Sequence, residues 1–289
     1  DRCIEVPIAD LSASGEGVGH WGEERRVVFV PDTVPGDRIT ARLTFVKRSY
    51  AHGTVVEVLE PSAHRTKPHC IVADKCGGCQ WQSTRYEYQL AAKQNQVIQA
   101  LERIGKFSNP PVEPVLAAPS EFGYRNKATY PLGFKIDNGQ RKVQAGYYRK
   151  RSHRIINLNQ CPVQDERLNL LLAGIKLAIQ QQDWSVYNEQ SHKGELRHLS
   201  LRIGRRTGEI LLTLVARTGK NLIGLDTQAK LWMKQYPGLV GVCVNVNGDR
   251  TNRIFGSETT CIVGQPFVRE TFAGLTLHIN SNTFFQVYT

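Results

Sequence analysis

The chain has 289 residues and a formal net charge of +11, with 40% hydrophobic and 22% charged residues. This is an ordinary globular composition, too long for one compact core and sufficient for two domains. No apolar run approaches the roughly 20 residues that cross a bilayer as a helix. Asp1-Arg2-Cys3-Ile4-Glu5 is not a signal peptide, so the expectation is a cytoplasmic protein with no membrane partner, acting as a monomer. Charge is uneven along the chain: −3 over residues 1–60, +9 over 61–170 and +5 over 171–289. A concentrated basic region favours a polyanion such as nucleic acid, or is simply a solvated surface.

Residues 4–59 read as short strands broken by Gly and Pro. Arg26–Val30, Arg38–Leu43 and Gly53–Val58 are three of them, with turns at Gly15–Gly19 and Val34-Pro35-Gly36-Asp37. Strands at this spacing predict a small β-barrel. Thr84-Arg85-Tyr86-Glu87 has the form of a capping box. Leu90, Val97, Ile98, Leu101 and Ile104 then follow on one helical face, closed by Gly105. From 122 to 160 strands return, with Asp137-Asn138-Gly139-Gln140 as a hairpin turn. A second helix is expected over Asp165–Gln181, and a second hairpin over Leu199–Ala216 around Arg206-Thr207-Gly208. Val240–Val246 and Leu275–Ile279 read as further strands.

Seven cysteines are present. Cys70, Cys76 and Cys79 form C-x5-C-G-G-C in a loop without periodicity, and Cys161 precedes Pro162 far downstream. Four thiolates suit either zinc or an iron–sulfur cluster, and spacing alone leaves zinc slightly ahead. Cys3, Cys243 and Cys261 read as buried free thiols.

The stretch from Pro61-Ser62-Ala63-His64-Arg65 through Cys70 to Cys76-Gly77-Gly78-Cys79-Gln80-Trp81-Gln82 resembles RNA uracil-5-methyltransferases of the TrmA/RumA/RlmD type. Phe122-Gly123-Tyr124-Arg125-Asn126-Lys127, Ser152-His153-Arg154-Ile155, Asn245-Val246-Asn247 and Phe284-Phe285-Gln286-Val287 are similar to the same family. Gly15–Gly19 with Val34–Asp37 looks like its small RNA-binding TRAM barrel.

The resemblance implies a four-iron, four-sulfur cluster on Cys70, Cys76, Cys79 and Cys161, and a contact from Gln286 to S-adenosylmethionine. It implies a multi-domain α+β chain with three parts. These are an OB-like TRAM barrel at 1–60, a central mixed α/β domain at 61–280 carrying the cluster, and the start of a Rossmann-like methyltransferase domain at 281–289. The rest of that domain, with the nucleophilic Cys and the base, is expected beyond Thr289, so no catalytic residue is assigned and the chain alone is expected to be inactive. The helix of 83–105 is expected to pack on the absent domain. The implied reaction is C5 methylation of a uridine, in which a thiolate adds to C6 so that C5 can attack the methyl donor. The family favours 23S ribosomal RNA, with transfer RNA or a non-catalytic RNA-binding module as alternatives. Arg125, Lys127, Tyr147, Arg149, Lys150, Arg151 and Arg154 combine cations and rings as an RNA grip would, or guard an edge strand. A radical methylthiotransferase is disfavoured because it needs C-x3-C-x2-C.

Overall fold

The structure is a computed structural model that describes residues 2–289. They fall into two compact units. One runs to Asp74 and includes Gly78–Pro119; the other comprises Lys75–Gly77 and Ser120–Thr289. The packing therefore divides at places other than the changes of pattern near residues 60 and 280.

In the first unit, β1 (Cys3–Leu11), β2 (Gly17–Trp21), β3 (Arg26–Val30), β4 (Arg38–Val46) and β5 (Tyr50–Glu60) close a barrel in the order β1-β2-β3-β5-β4. Alternation drives it: Ile4, Val6 and Ile8 of β1 point inward with Val28, Val30, Ile39 and Ala41. Two of the sequence motifs meet here. The buried Asp37 carboxylate accepts from Val34 N at 2.7 Å and Ser62 N at 2.9 Å, and pairs with the Arg65 guanidinium through two contacts of 2.7 Å. The Pro-Gly-Asp turn and the Pro-Ser-Ala-His-Arg segment are thus one lock at the barrel's end.

Helix α1 (Tyr86–Arg103) follows. The expected capping box does not form. The cap residue is Arg85, without a side-chain cap bond, and Thr84 is buried just ahead of it. Gln89 instead reaches back, its Nε2 donating to Thr84 O at 2.9 Å and Trp81 O at 3.1 Å. Only Ala92 of α1 is buried, and Gln96 and Gln99 donate to Ser12 O and Asp10 Oδ2 of the barrel.

The second unit is built on a seven-stranded sheet of order β12-β11-β10-β9-β6-β7-β8. Its strands are β6 (Lys127–Asp137), β7 (Gln140–Tyr148), β8 (Ile155–Asn157), β9 (Leu196–Ile203), β10 (Ile210–Ala216), β11 (Leu239–Val246) and β12 (Glu258–Gly264). Every pair is antiparallel except β10–β11. Asn138 and Gly139, at φ 48° and 77°, make the tight turn between β6 and β7. Helices α2 (Glu166–Gln181) and α3 (Leu225–Gln235) cover one face. Asp165 caps α2, its carboxylate accepting from Arg167 N. A two-stranded hairpin, β13 (Phe267–Phe272) and β14 (Leu275–Asn280), packs on the other face through Val268 and Ile279 against Leu211 and Cys243.

Candidate functional site

Strands β6 and β9 sort their side chains strictly by face. Ala128, Tyr130, Leu199, Leu201 and Ile203 join the core beneath the helices. The alternate positions are polar and lie opposite one another across the two strands: Lys127 with Arg202, Thr129 with Ser200, Pro131 with His198. Thr129 and Ser200 hydroxyls share a hydrogen bond of 2.9 Å. The two ends of this ladder are less well satisfied. Buried His198 Nδ1, Arg202 Nε and Arg202 Nη1 have no hydrogen-bond partner, an expensive condition for polar groups out of water. Burial lowers His198 from 6.5 to about 4, with Arg197 contributing, so its imidazole is neutral.

At the His198 end lies a cleft of about 680 Å³. Its floor is apolar, from Leu132, Gly133, Ile155 and Ile156, and its cations are Lys75, Lys135, Arg149, Arg154 and Arg197. Tyr148 and His153 bring a ring pair, 5.2 Å between centroids, and Glu189 lies 3.5 Å from His153 Nδ1. Residues 75–77 reach the cleft because they pair with the end of β7: Gly77 N donates to Tyr148 O, and Lys150 N to Lys75 O.

At the Lys127–Arg202 end lies the segment 281–289. Lys127 Nζ donates to Ser281 O at 3.2 Å and Arg202 Nη2 to Thr283 O at 2.7 Å. Asn126 donates from Nδ2 to Gln286 O and from its backbone to Val287 O. Tyr288 stacks on Tyr124 at 5.2 Å. The Tyr-Arg-Asn-Lys and Phe-Phe-Gln-Val motifs are therefore a clamp and its cargo, with the Gln286 side chain left exposed. The Asn-Val-Asn motif has a similar internal use. Buried Asn245 donates to Gly256 O, Glu258 O and Thr259 Oγ1, and Asn247 donates to Arg253 O and Ile254 O. Gly256 is required there, since a Cβ would sit 1.7 Å from Val246 O.

Of the residues singled out in the sequence, Arg149 and Arg154 line the cleft and Lys127 stands on the ladder. Arg151 is exposed at φ 56°. Lys150 and Arg125 are partly buried, and Arg125 N donates to Val163 O. Tyr147 does not line the cleft. Its hydroxyl accepts from Gln164 Nε2, Tyr130 donates to Gln164 Oε1, and burial pushes the Tyr147 hydroxyl up. Lys75, Lys135, Arg197, His198 and Arg202 were not singled out. For the last two the signal was present, in the alternation of His198, Ser200 and Arg202 with Leu199, Leu201 and Ile203.

The four motif cysteines divide between the units: Cys70 and Cys79 in the first, Cys76 and Cys161 in the second. Buried Cys76 and Cys161 both act electrostatically on the Tyr147 hydroxyl, so this pair flanks one side chain. Cys161 N donates to Asn169 Oδ1 at 3.0 Å. Among the described residues, no three His, Cys, Asp or Glu side chains stand together as a metal site. Within the second unit the residues fit half of a four-thiolate set. Cys3 is exposed rather than buried. Cys243 and Cys261 are cross-strand neighbours, and burial, then Cys261, pushes Cys243 up to about 12.

Residues 2–56 match the family model of the TRAM domain. Across 99% of its length the chain is 63% identical to a protein of Nostoc sp. named an uncharacterized RNA methyltransferase. Its relatives are proteins named RNA methyltransferases. Others so named are 56% identical over 98% of the chain in Synechocystis sp. and 35% identical over 98% in Clostridium acetobutylicum. The chain spans about three-fifths of the length of these RNA methyltransferase relatives, 60–61%.

The crystal structure of Pyrococcus abyssi tRNA (uracil-54, C5)-methyltransferase with S-adenosyl-L-homocysteine aligns with a TM-score of 0.72 at 24% identity. The alignment covers 98% of this chain and 61% of that one. It corrects the expected fold class, which counted in a Rossmann-like domain from beyond Thr289. Nearly all of this chain already aligns with a methyltransferase chain, so its fold is that of the barrel, mixed sheet and hairpin described above. No helix is long and apolar enough to cross a membrane among the described residues.

Proposed function

We propose that this chain grips RNA for S-adenosylmethionine-dependent C5 methylation of a uridine, in the cytoplasm. The observation that carries the reading is the face of the seven-stranded sheet opposite α2 and α3. A basic cleft with rings lies at one end of its polar ladder, and a clamped segment presenting Gln286 lies at the other. Cations supply phosphate contacts, and rings stack bases that have left a helix. Gln286 suits a donor contact because its backbone is fixed while its side chain stays in solvent. The 23S ribosomal RNA is the preferred substrate by analogy with the family that the cysteine motif resembles, with transfer RNA as the alternative.

Cys70, Cys76, Cys79 and Cys161 are proposed as ligands of a four-iron, four-sulfur cluster. The burial of Cys76 and Cys161 around Tyr147 supports this for half the set. When bound, the cluster would tie the 75–77 segment to the start of α2, since methyl transfer changes no electron count. Protein purified without oxygen should then carry about four iron atoms per chain, and stoichiometric zinc would contradict it. The function itself is tested by deleting the gene. The expected result is loss of one 5-methyluridine from 23S ribosomal RNA, read by mass spectrometry. Unchanged 5-methyluridine in both ribosomal and transfer RNA would overturn the reading.

A further inference from the structure

Lys127 and Arg202 face each other across β6 and β9 on the side of the sheet opposite α2 and α3. Arg202 is only 3% exposed, yet two of its three guanidinium nitrogens are buried without a partner. Its one hydrogen bond goes to the carbonyl of Thr283. Lys127 has a carbonyl, Ser281 O, and the ring of Phe255 at 4.8 Å. Among the described residues no carboxylate acts on either group; burial lowers both, Lys127 to about 8 and Arg202 to about 10, and Arg202 lowers Lys127 further. Elsewhere in the same unit buried charges are well provided for. Glu195 accepts from Thr218, Gly219 and Asn221, and Lys176 donates to three oxygens. A buried arginine and a half-buried lysine with no counter-charge among the described residues are costly in the isolated protein. They are what a site for a fixed anion requires.

We infer that Lys127 and Arg202 form a binding site for an oxyanion, and that an RNA phosphodiester supplies it. The identity of the source rests on the RNA reading above. The argument for it is continuity: the same ladder leads through Thr129 and Ser200 to His198 and the basic cleft. His198 Nδ1, also without a partner, lies at the cleft, where a neutral imidazole can meet the polar edge of an unstacked base. Two other sources share the chemistry, free phosphate and the carboxylate of S-adenosylmethionine, and the experiment separates them.

Thermal melting and equilibrium binding are measured on the whole protein with a short oligouridylate, inorganic phosphate and S-adenosylmethionine as separate probes. The variants are Lys127→Met, Arg202→Met and the charge-conserving Arg202→Lys. Oligouridylate and phosphate should each raise the wild-type Tm. Each Met variant should bind oligouridylate roughly tenfold or more weakly, the scale of one lost charged hydrogen bond, and Arg202→Lys should keep part of the affinity. Without ligand, Arg202→Met should melt no lower than wild type, which a purely structural arginine would not allow. If Arg202→Met does not fold, Lys127→Met decides. Oligouridylate affinity equal to wild type in Lys127→Met would overturn the site. Loss of the S-adenosylmethionine shift with oligouridylate binding intact would reassign the anion to the donor's carboxylate and overturn the RNA source. Phosphate binding without oligouridylate binding would uphold the oxyanion site and remove the RNA reading with it.

Discussion

The two faces of the seven-stranded sheet are made from the same strands and have opposite chemistry. Beneath α2 and α3, Leu168, Leu172, Ile175, Leu199 and Leu201 are wholly buried with apolar neighbours, and the one buried lysine nearby, Lys176, has three oxygen acceptors. On the other face, the same strand β9 presents His198, Ser200 and Arg202, and two of these three carry buried nitrogens without partners. A fold gains nothing from leaving such groups unpaired. The difference teaches that the helix-covered face is shaped for stability and the polar face for a ligand.

The sharpest way to break this comparison is to cut one residue from each side of β9. Leu201→Ala should cost about 2–5 kcal/mol in chemical denaturation, since it leaves a cavity under the helices. A cost below that of Ser200→Ala would contradict the assignment of faces. The next effect is in pH. Burial holds His198 at about 4, below its ordinary 6.5. The unfolded chain therefore takes up a proton first as pH falls. Stability is full above about 6.5 and is lost on descending through about 4, in total ~3 kcal/mol. His198→Gln should remove that part of the acid slope. Undiminished slope in this variant would show that the ring is not buried in the neutral form.

Lys176→Met sharpens the contrast between satisfied and unsatisfied cations. It removes a donor from Leu158 O and Asn159 Oδ1 and leaves Asn157 Oδ1 with Ala145 N alone, and should cost about 2 kcal/mol, whereas Arg202→Met should cost nothing measurable. Ser200→Ala is a smaller change than Lys176→Met. It removes one hydroxyl pair with Thr129 and should cost about 1 kcal/mol. A larger loss would mean that the ladder, too, is a stability element.

Much of the fold was legible because its signals are local. Arg26–Val30 and the Asn138-Gly139 turn follow from alternation and from the backbone freedom of Asn-Gly. The helix from Asp165 follows from its cap and apolar face. Helix α3 carries no cap signal: it starts after Gly224 at φ 75° without a side-chain cap, and only the spacing of Leu225, Ala229 and Trp232 marks its buried face. The capping box at Thr84 failed because Thr84 is buried in the turn before the helix rather than placed at its cap. The site was legible only in part. Arg149 and Arg154 stood in a basic run, but Lys75, Lys135 and Arg197 join them through pairings between distant segments. The motif words also proved to be mutual supports: Asn126 and Lys127 hold the backbone that carries Gln286.

The central claim is that RNA binds the polar face of this sheet, the face that carries the basic cleft. The most direct test is photo-crosslinking of the protein to a 4-thiouridine-labelled single-stranded RNA, with the crosslinked peptides read by mass spectrometry. The account predicts crosslinks in residues 127–135, 148–155 and 197–202, lost in excess unlabelled RNA. Crosslinks confined to α2 and α3, with none in those three segments, would contradict it.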